Sequence, residues 1–334
     1  ADLGNLGSSH TPVDHGLKPQ TVNELRAGFE YEIVRDLALG FAGIYRAQGS
    51  VIEDGSFNDG QSYFLFNPGE SATNAISCTP PVFDAMGNQI GGGAGQCFGR
   101  ARRYYRAFEF TATKRFTNNV QFIASYVYSS LIGNYEGLYR NDTGQSDPNI
   151  TSLFDLVSLL NNTYGRLPND RPHQLKFDGT YRFPFDLMLG GSFRAQSGIP
   201  FNQLTPHAIY GNNEGFGLPR GTAIVPSLAA TPVGFANTVN SIGSNRTPTT
   251  VNLDLNVYYP IKFSEGLELR LQMDWFNVFN SQRAIRLDET YQINSGIAGI
   301  PINDPSNKLP NPFYGAGTIF QFPSSIRLGV KFSF

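Results

Sequence analysis

Apolar and polar residues alternate in nine stretches of the chain, and the links between these stretches are by turns short and long. In the last stretch, SSIRLGVKFSF at 324–334, Ile326, Leu328, Val330, Phe332 and Phe334 share one face, while Arg327, Gly329, Lys331 and Ser333 share the other. A period of two predicts a strand, because successive side chains leave opposite faces of the pleat. The same reading predicts strands over about 21–33, 37–46, 104–116, 120–132, 173–183, 187–197, 250–259 and 267–277. In the first of these, Leu25, Ala27, Phe29, Tyr31 and Ile33 oppose Glu24, Arg26, Glu30 and Glu32. Short turns follow within strand pairs at 34–36, 117–119, 184–186 and 260–266, whereas 47–103, 133–172, 197–249 and 281–323 are long and without sustained period. Within the second long link, SLFDLVSLL at 152–160 suits a short helix.

Strands of about ten residues, each with one apolar and one charged face, suit a wall between lipid and water. Short and long links in strict alternation are the asymmetry of an outer-membrane barrel, with short periplasmic turns and long extracellular loops. A sandwich does not sort its loops by parity, and a propeller repeats at a fixed spacing. The fold class expected is therefore all-β, an antiparallel transmembrane β-barrel forming a single domain over 1–334. Bacterial single-chain barrels have even strand numbers with both ends periplasmic. Nine strands ending in the periplasm begin outside, with 1–20 as an outer loop. The chain is expected to be part of a larger barrel, unless a tenth strand lies within 1–20.

Composition agrees with this architecture. Charged residues are 16% of the chain, below the roughly 25% of soluble domains. No run approaches the 18 apolar residues of a helical span, while a barrel needs lipid-facing residues only at alternate positions. The formal net charge of −2 indicates no nucleic-acid partner. The N-terminal ADLGNLGSSH is not a signal peptide, so an exported protein would have lost its beginning. Cys78 and Cys97 share one Gly-rich segment and are expected to close a disulfide.

The aromatic, Phe-terminated ending resembles the C-terminal signal of bacterial outer-membrane barrels. That implies recognition of Leu328, Val330, Phe332 and Phe334 by the barrel assembly machinery. Further stretches resemble the C-terminal half of TonB-dependent receptors, especially the Oar-like branch: LKPQTVNELRAGFE at 17–30, RPHQLKFDGTYRFPF at 171–185, GSFRAQSGIPFN at 191–202, DWFNVFN at 274–280 and the final LGVKFSF. The resemblance implies a barrel of about 22 strands filled by an N-terminal plug. It also implies coupling to TonB through that plug, which these residues do not include. The implied home is a Gram-negative outer membrane, with its lipid and lipopolysaccharide as neighbours and an unknown extracellular substrate.

Candidate chemistry is sparse. Arg26, Glu30, Arg46, Glu109, Lys176, Asp178, Arg194, Asp254, Arg270 and Asp274 fall on the polar faces and are expected to form a lumen wall, mostly paired with one another. Tyr31, Tyr45, Tyr126, Tyr128 and Trp275 suit an interfacial girdle. Tyr63, Phe64, Tyr139, Tyr164 and Tyr210 are loop candidates for ligand contact. Asp54, Ser56, Asn58 and Asp59 have calcium-like spacing but lack the distal Glu of an EF-hand, so an Asx-rich turn is the default. His173, at a strand start, is expected to be structural. No cluster converges on a reaction, and no cofactor is expected. Two functions remain open: a TonB-dependent receptor that binds substrate with its outer loops and passes it through a plugged polar lumen, or a surface adhesion or assembly protein mounted on the barrel.

Overall fold

The computed structural model describes residues 12–334 except 57–59, 93–94, 96, 141, 143–150, 212, 228–240, 265, 295, 297–298 and 302–303. The nine expected strands form one antiparallel sheet in sequence order. They are β1 (Val22–Val34), β2 (Leu37–Gln48), β3 (Arg103–Thr117), β4 (Val120–Gly133), β5 (His173–Arg182), β6 (Met188–Gln196), β7 (Thr250–Ser264), β8 (Leu267–Phe276) and β9 (Ser325–Ser333). Gly165–Arg166 adds a short piece beside the end of β4. Among the described residues, β1 and β9 each pair on one side only, so the sheet is open between them.

One strand runs further than expected. The Pro260–Gly266 stretch reads as a turn, but β7 continues to Ser264, with Pro260 opposite Arg270. The β6 ladder stops at Met188 opposite Tyr258, so Pro260 lies where one side of β7 has no neighbour. A residue without an N–H is tolerated at such an edge.

The short turns follow from residues that accept positive φ. Asn118 and Asn119 take φ of 51° and 67° between the paired Thr117 and Val120. Two consecutive left-handed residues make the tight turn whose twist matches the flanking strands. Asp36 and Asp186, each at φ 65°, close two further turns. Asp36 is also fixed by its N–H, which donates to Glu32 Oε1 at 2.7 Å.

Register places every apolar strand face on one side of the sheet. Phe29 lies opposite Phe41 and Phe41 opposite Phe110, and the rings of Phe41 and Phe110 are 5.0 Å apart. This face is open: Leu25, Phe29, Tyr31, Phe108, Leu328 and Val330 are all exposed. An apolar surface of this extent belongs against lipid. Among the described residues, no helix is long and apolar enough to cross a membrane.

The buried cores lie chiefly in the four long links, L1 (49–102), L2 (134–172), L3 (197–249) and L4 (277–324). Val51, Ala101, Tyr135, Leu153, Phe154, Leu204 and Phe216 form one cluster drawn from L1, L2 and L3. Phe201, Ala223, Val225, Ala284 and Leu287 join L3 to L4, and Phe64, Phe66 and Phe98 pack within L1. The helix expected over 152–160 is instead two short 3-10 turns, Ser152–Phe154 and Val157–Leu160. Leu153, Phe154 and Leu159 are fully buried there, so packing of single residues from several loops governs this segment rather than one helical face.

Candidate functional site

The polar wall assembles as one face. Ladder pairing carries the even-numbered residues of β1 and β2 to the odd-numbered ones of β3 and β4, and thence to the even-numbered ones of β5 through β8. Arg26, Glu30, Arg46, Glu109, Lys176, Asp178, Arg194, Asp254, Arg270 and Asp274 therefore share a side. Most are paired. Arg26 Nη2 donates to Glu109 at 2.9 Å, Arg46 Nε to Glu24 at 2.7 Å, and Arg194 Nη2 to both Asp178 oxygens at 2.9 and 2.7 Å. Arg270 reaches Glu268 at 3.1 Å, and Arg327 Nε donates to Asp274 at 2.8 Å. Asp254 accepts the Asn277 N–H at 2.7 Å. These pairs cross neighbouring or next-neighbouring strands, or follow one strand, and stiffen the wall while leaving it hydrophilic.

Above the strands, the long links build a cap around buried charge. Arg140 and Arg220 have no exposed side-chain surface. Arg140 Nε and Arg220 Nη2 each meet an oxygen of Asp142 at 2.9 Å, and Arg220 also pairs with Glu136. Arg140 donates to the Glu214 carbonyl at 2.7 Å, so the cluster ties L2 to L3. Both guanidiniums lie over the Phe216 ring, at 5.5 and 4.5 Å. A second network joins L1, L2 and L3. Tyr63 and Tyr210 hydroxyls lie 2.8 Å apart, and Tyr210 donates to Asp155 at 2.6 Å. Burial, with help from Asp54 and Glu214, pushes the Asp155 carboxyl up to about 8. Burial likewise raises Glu53, against the Thr151 N–H that donates to it at 2.8 Å.

The loop aromatics divide. Phe64 is buried in the L1 core, while Tyr63 and Tyr210 are half-buried and hydrogen-bond each other in the internal network. Tyr139 and Tyr164 remain exposed. Within the expected girdle, Tyr126 hydrogen-bonds His173 Nδ1 at 2.7 Å and Trp275 Nε1 donates to Ser324 at 2.8 Å. Cys78 and Cys97 form the expected disulfide. Of the calcium candidates, Asn58 and Asp59 lie outside the described residues; Ser56 Oγ accepts the Gly60 N–H at 2.9 Å, and burial raises the Asp54 carboxyl. Among the described residues, no three His, Cys, Asp or Glu side chains converge on a metal position.

Sequence reasoning missed Arg140, Arg220, Asp142, Glu136, Asp155 and Glu289. Each stands in a stretch without period, and nothing local marks an arginine whose partners lie about 80 residues away.

A family model described as an outer membrane beta barrel domain matches residues 3–286. The chain belongs to that family. It is 32% identical over 359 aligned positions to the TonB-dependent transporter Oar of Myxococcus xanthus, covering 99% of this chain and 30% of that protein. Among solved structures it is similar to the ferric-catecholate import receptor Fiu from Escherichia coli K12 in its closed form, at 12% identity and a TM-score of 0.48, covering 100% of this chain and 30% of that one. It is also similar to the outer membrane transporter YddB from Escherichia coli, at 12% identity and a TM-score of 0.45, covering 97% and 34%. The chain thus spans about a third of the length of these relatives. As a member of the family it is an outer-membrane β-barrel segment.

Proposed function

We propose that this chain is the C-terminal barrel portion of a TonB-dependent outer-membrane receptor. Its cap binds an extracellular substrate, and its polar wall lines a plugged passage. The observation that carries this reading is the similarity to a TonB-dependent transporter along 99% of the chain. The paired, hydrophilic wall supports it, because a face rich in fixed ion pairs can grip a plug and still let a polar solute move past. TonB would act through the plug, outer-membrane lipid and lipopolysaccharide would surround the apolar face, and the assembly machinery would read Leu328, Val330, Phe332 and Phe334.

The test uses the full-length protein in its own envelope. A single cysteine introduced at exposed Tyr139 in the cap is labelled from outside, with and without a protonophore and with and without TonB. The receptor reading expects labelling to depend on both. Identical labelling in all four conditions contradicts energised gating and favours the surface-mount alternative.

A further inference from the structure

We propose that the open cavity lined by L2, L3 and L4 binds the carboxylate of a small polar ligand, with Arg171 as the residue that receives it. This deepens the receptor reading, on which its role in uptake rests. The cavity holds about 460 Å³, within the range of small-molecule sites. Asn169 and Arg171 reach it from L2, Asn202 and Thr247 from L3, and Glu289 from L4, so its shape is set by three loops already locked together by packing.

The charges around the cavity are not equally committed. Asp142 is held by Arg140 and Arg220, as above. Asp288 accepts the Thr290 N–H at 2.9 Å and Asn311 Nδ2 at 3.0 Å. Glu289 accepts the Asn202 N–H at 2.8 Å; burial and then Asp142 push its carboxyl up to about 8, so it is neutral at pH 7. Arg286, on the same wall, has partners of its own. Arg171 differs. Its hydrogen bond runs from Nη1 to the Ser197 carbonyl at 2.6 Å, and among the described residues it pairs with no carboxylate. Burial and the nearby Arg246 both disfavour its charge, while Arg246 itself is taken by Asp170.

A part-buried guanidinium beside a second cation and without a counter-ion is costly, and an incoming anion offsets that cost. The Nε–H and Nη2–H that remain form the planar fork that carboxylates bind in bidentate fashion. Asp288, which also lines the cavity, disfavours a dianionic phosphate more than a monoanionic carboxylate, and Asp288 and the protonated Glu289 offer acceptors to a ligand bearing hydroxyls or an amine. The ligand class is therefore a small carboxylate with additional donors.

Calorimetric titration of the full-length protein in detergent, at low ionic strength and a pH below Glu289's value of about 8, tests this with glycerate, glyceramide and inorganic phosphate. Glycerate should bind saturably, phosphate more weakly, and glyceramide not at all. Arg171→Gln should weaken glycerate at least about tenfold. Asn169→Asp, at an exposed position, should do the same without disturbing the fold, while Arg35→Gln in the distant β1–β2 turn should not. Equal binding by Arg171→Gln, glyceramide matching glycerate, or no saturable anion binding up to ~10 mM would overturn the proposal. Phosphate outcompeting glycerate would overturn the carboxylate assignment. Binding needs no TonB, so a failed titration beside TonB-dependent labelling removes this site alone. Binding beside unresponsive labelling removes the uptake reading instead.

Discussion

The sheet and the cap solve opposite problems with the same chain. In the sheet, apolar side chains point outward and charges line the other face: Phe29 is 68% exposed, while Arg26 holds Glu109 across two strands. In the cap the order is that of a soluble domain, with Leu153, Phe154 and Phe201 at 0% exposure. Lipid supplies the apolar environment for the first region, whereas the second must build its own from short pieces of four loops. The difference also sets what a charge costs. The wall's ion pairs are half-solvated and nearly interchangeable, but the cap's Arg140 and Arg220 are fully enclosed and depend on their acids.

Breaking the cap's charge cluster should have the largest effect. Arg220→Leu leaves Glu136 and Asp142 short of a cation and should cost about 3–5 kcal/mol of cap stability, read as accelerated proteolysis of L2 and L3 with the barrel intact. Phe154→Ala should cost about as much, ~3–5 kcal/mol, through the cavity it opens in the core shared by L1, L2 and L3. In the sheet the sensitive side is reversed. Leu271→Arg on the apolar face of β8 should cost ~2–4 kcal/mol in bilayer refolding titrations, and the neighbouring Gln272→Arg close to nothing. Removing the disulfide with Cys78→Ser and Cys97→Ser should loosen only the L1 segment it closes, by about 3 kcal/mol of loop entropy, visible as local hydrogen exchange.

A pH titration also separates the cap from the sheet. Asp155 and Glu289 keep their protons in the folded cap up to about 8, while the unfolded chain releases them near 3.8 and 4.5. Between those values the unfolded state binds fewer protons, so cap stability falls as pH rises through the window and has lost this contribution above about 8. The effect should be on the order of 1–2 kcal/mol, since both carboxyls keep some solvent contact. Asp155→Asn and Glu289→Gln together should flatten it; an unchanged slope in thermal scans contradicts the assignment. Smaller again, Arg194→Gln on the wall should cost at most about 1 kcal/mol despite its two short bonds to Asp178.

The sheet was legible because each strand repeats one rule at every residue. Eight strands fall within two residues of the expected bounds, and the ten wall residues land on one face. β7 escaped because Pro260 reads as a turn unless it is known that β6 ends beside it. The cap was illegible for the converse reason. Its strands are two to four residues long, its cores take one residue here and two there, and Arg220 finds Glu136 across 84 positions. No periodicity can encode such contacts. The loop aromatics show the limit: nothing in the sequence separates buried Phe64 from exposed Tyr164.

One face of the sheet meets lipid and the other water. Spin labels at Leu271→Cys and Gln272→Cys, adjacent on β8 but on opposite faces, test it in reconstituted bilayers. The label at 271 should be relaxed by dissolved oxygen and shielded from a water-soluble nickel chelate, with the reverse at 272. Equal access of the chelate to both positions would contradict the two-faced wall.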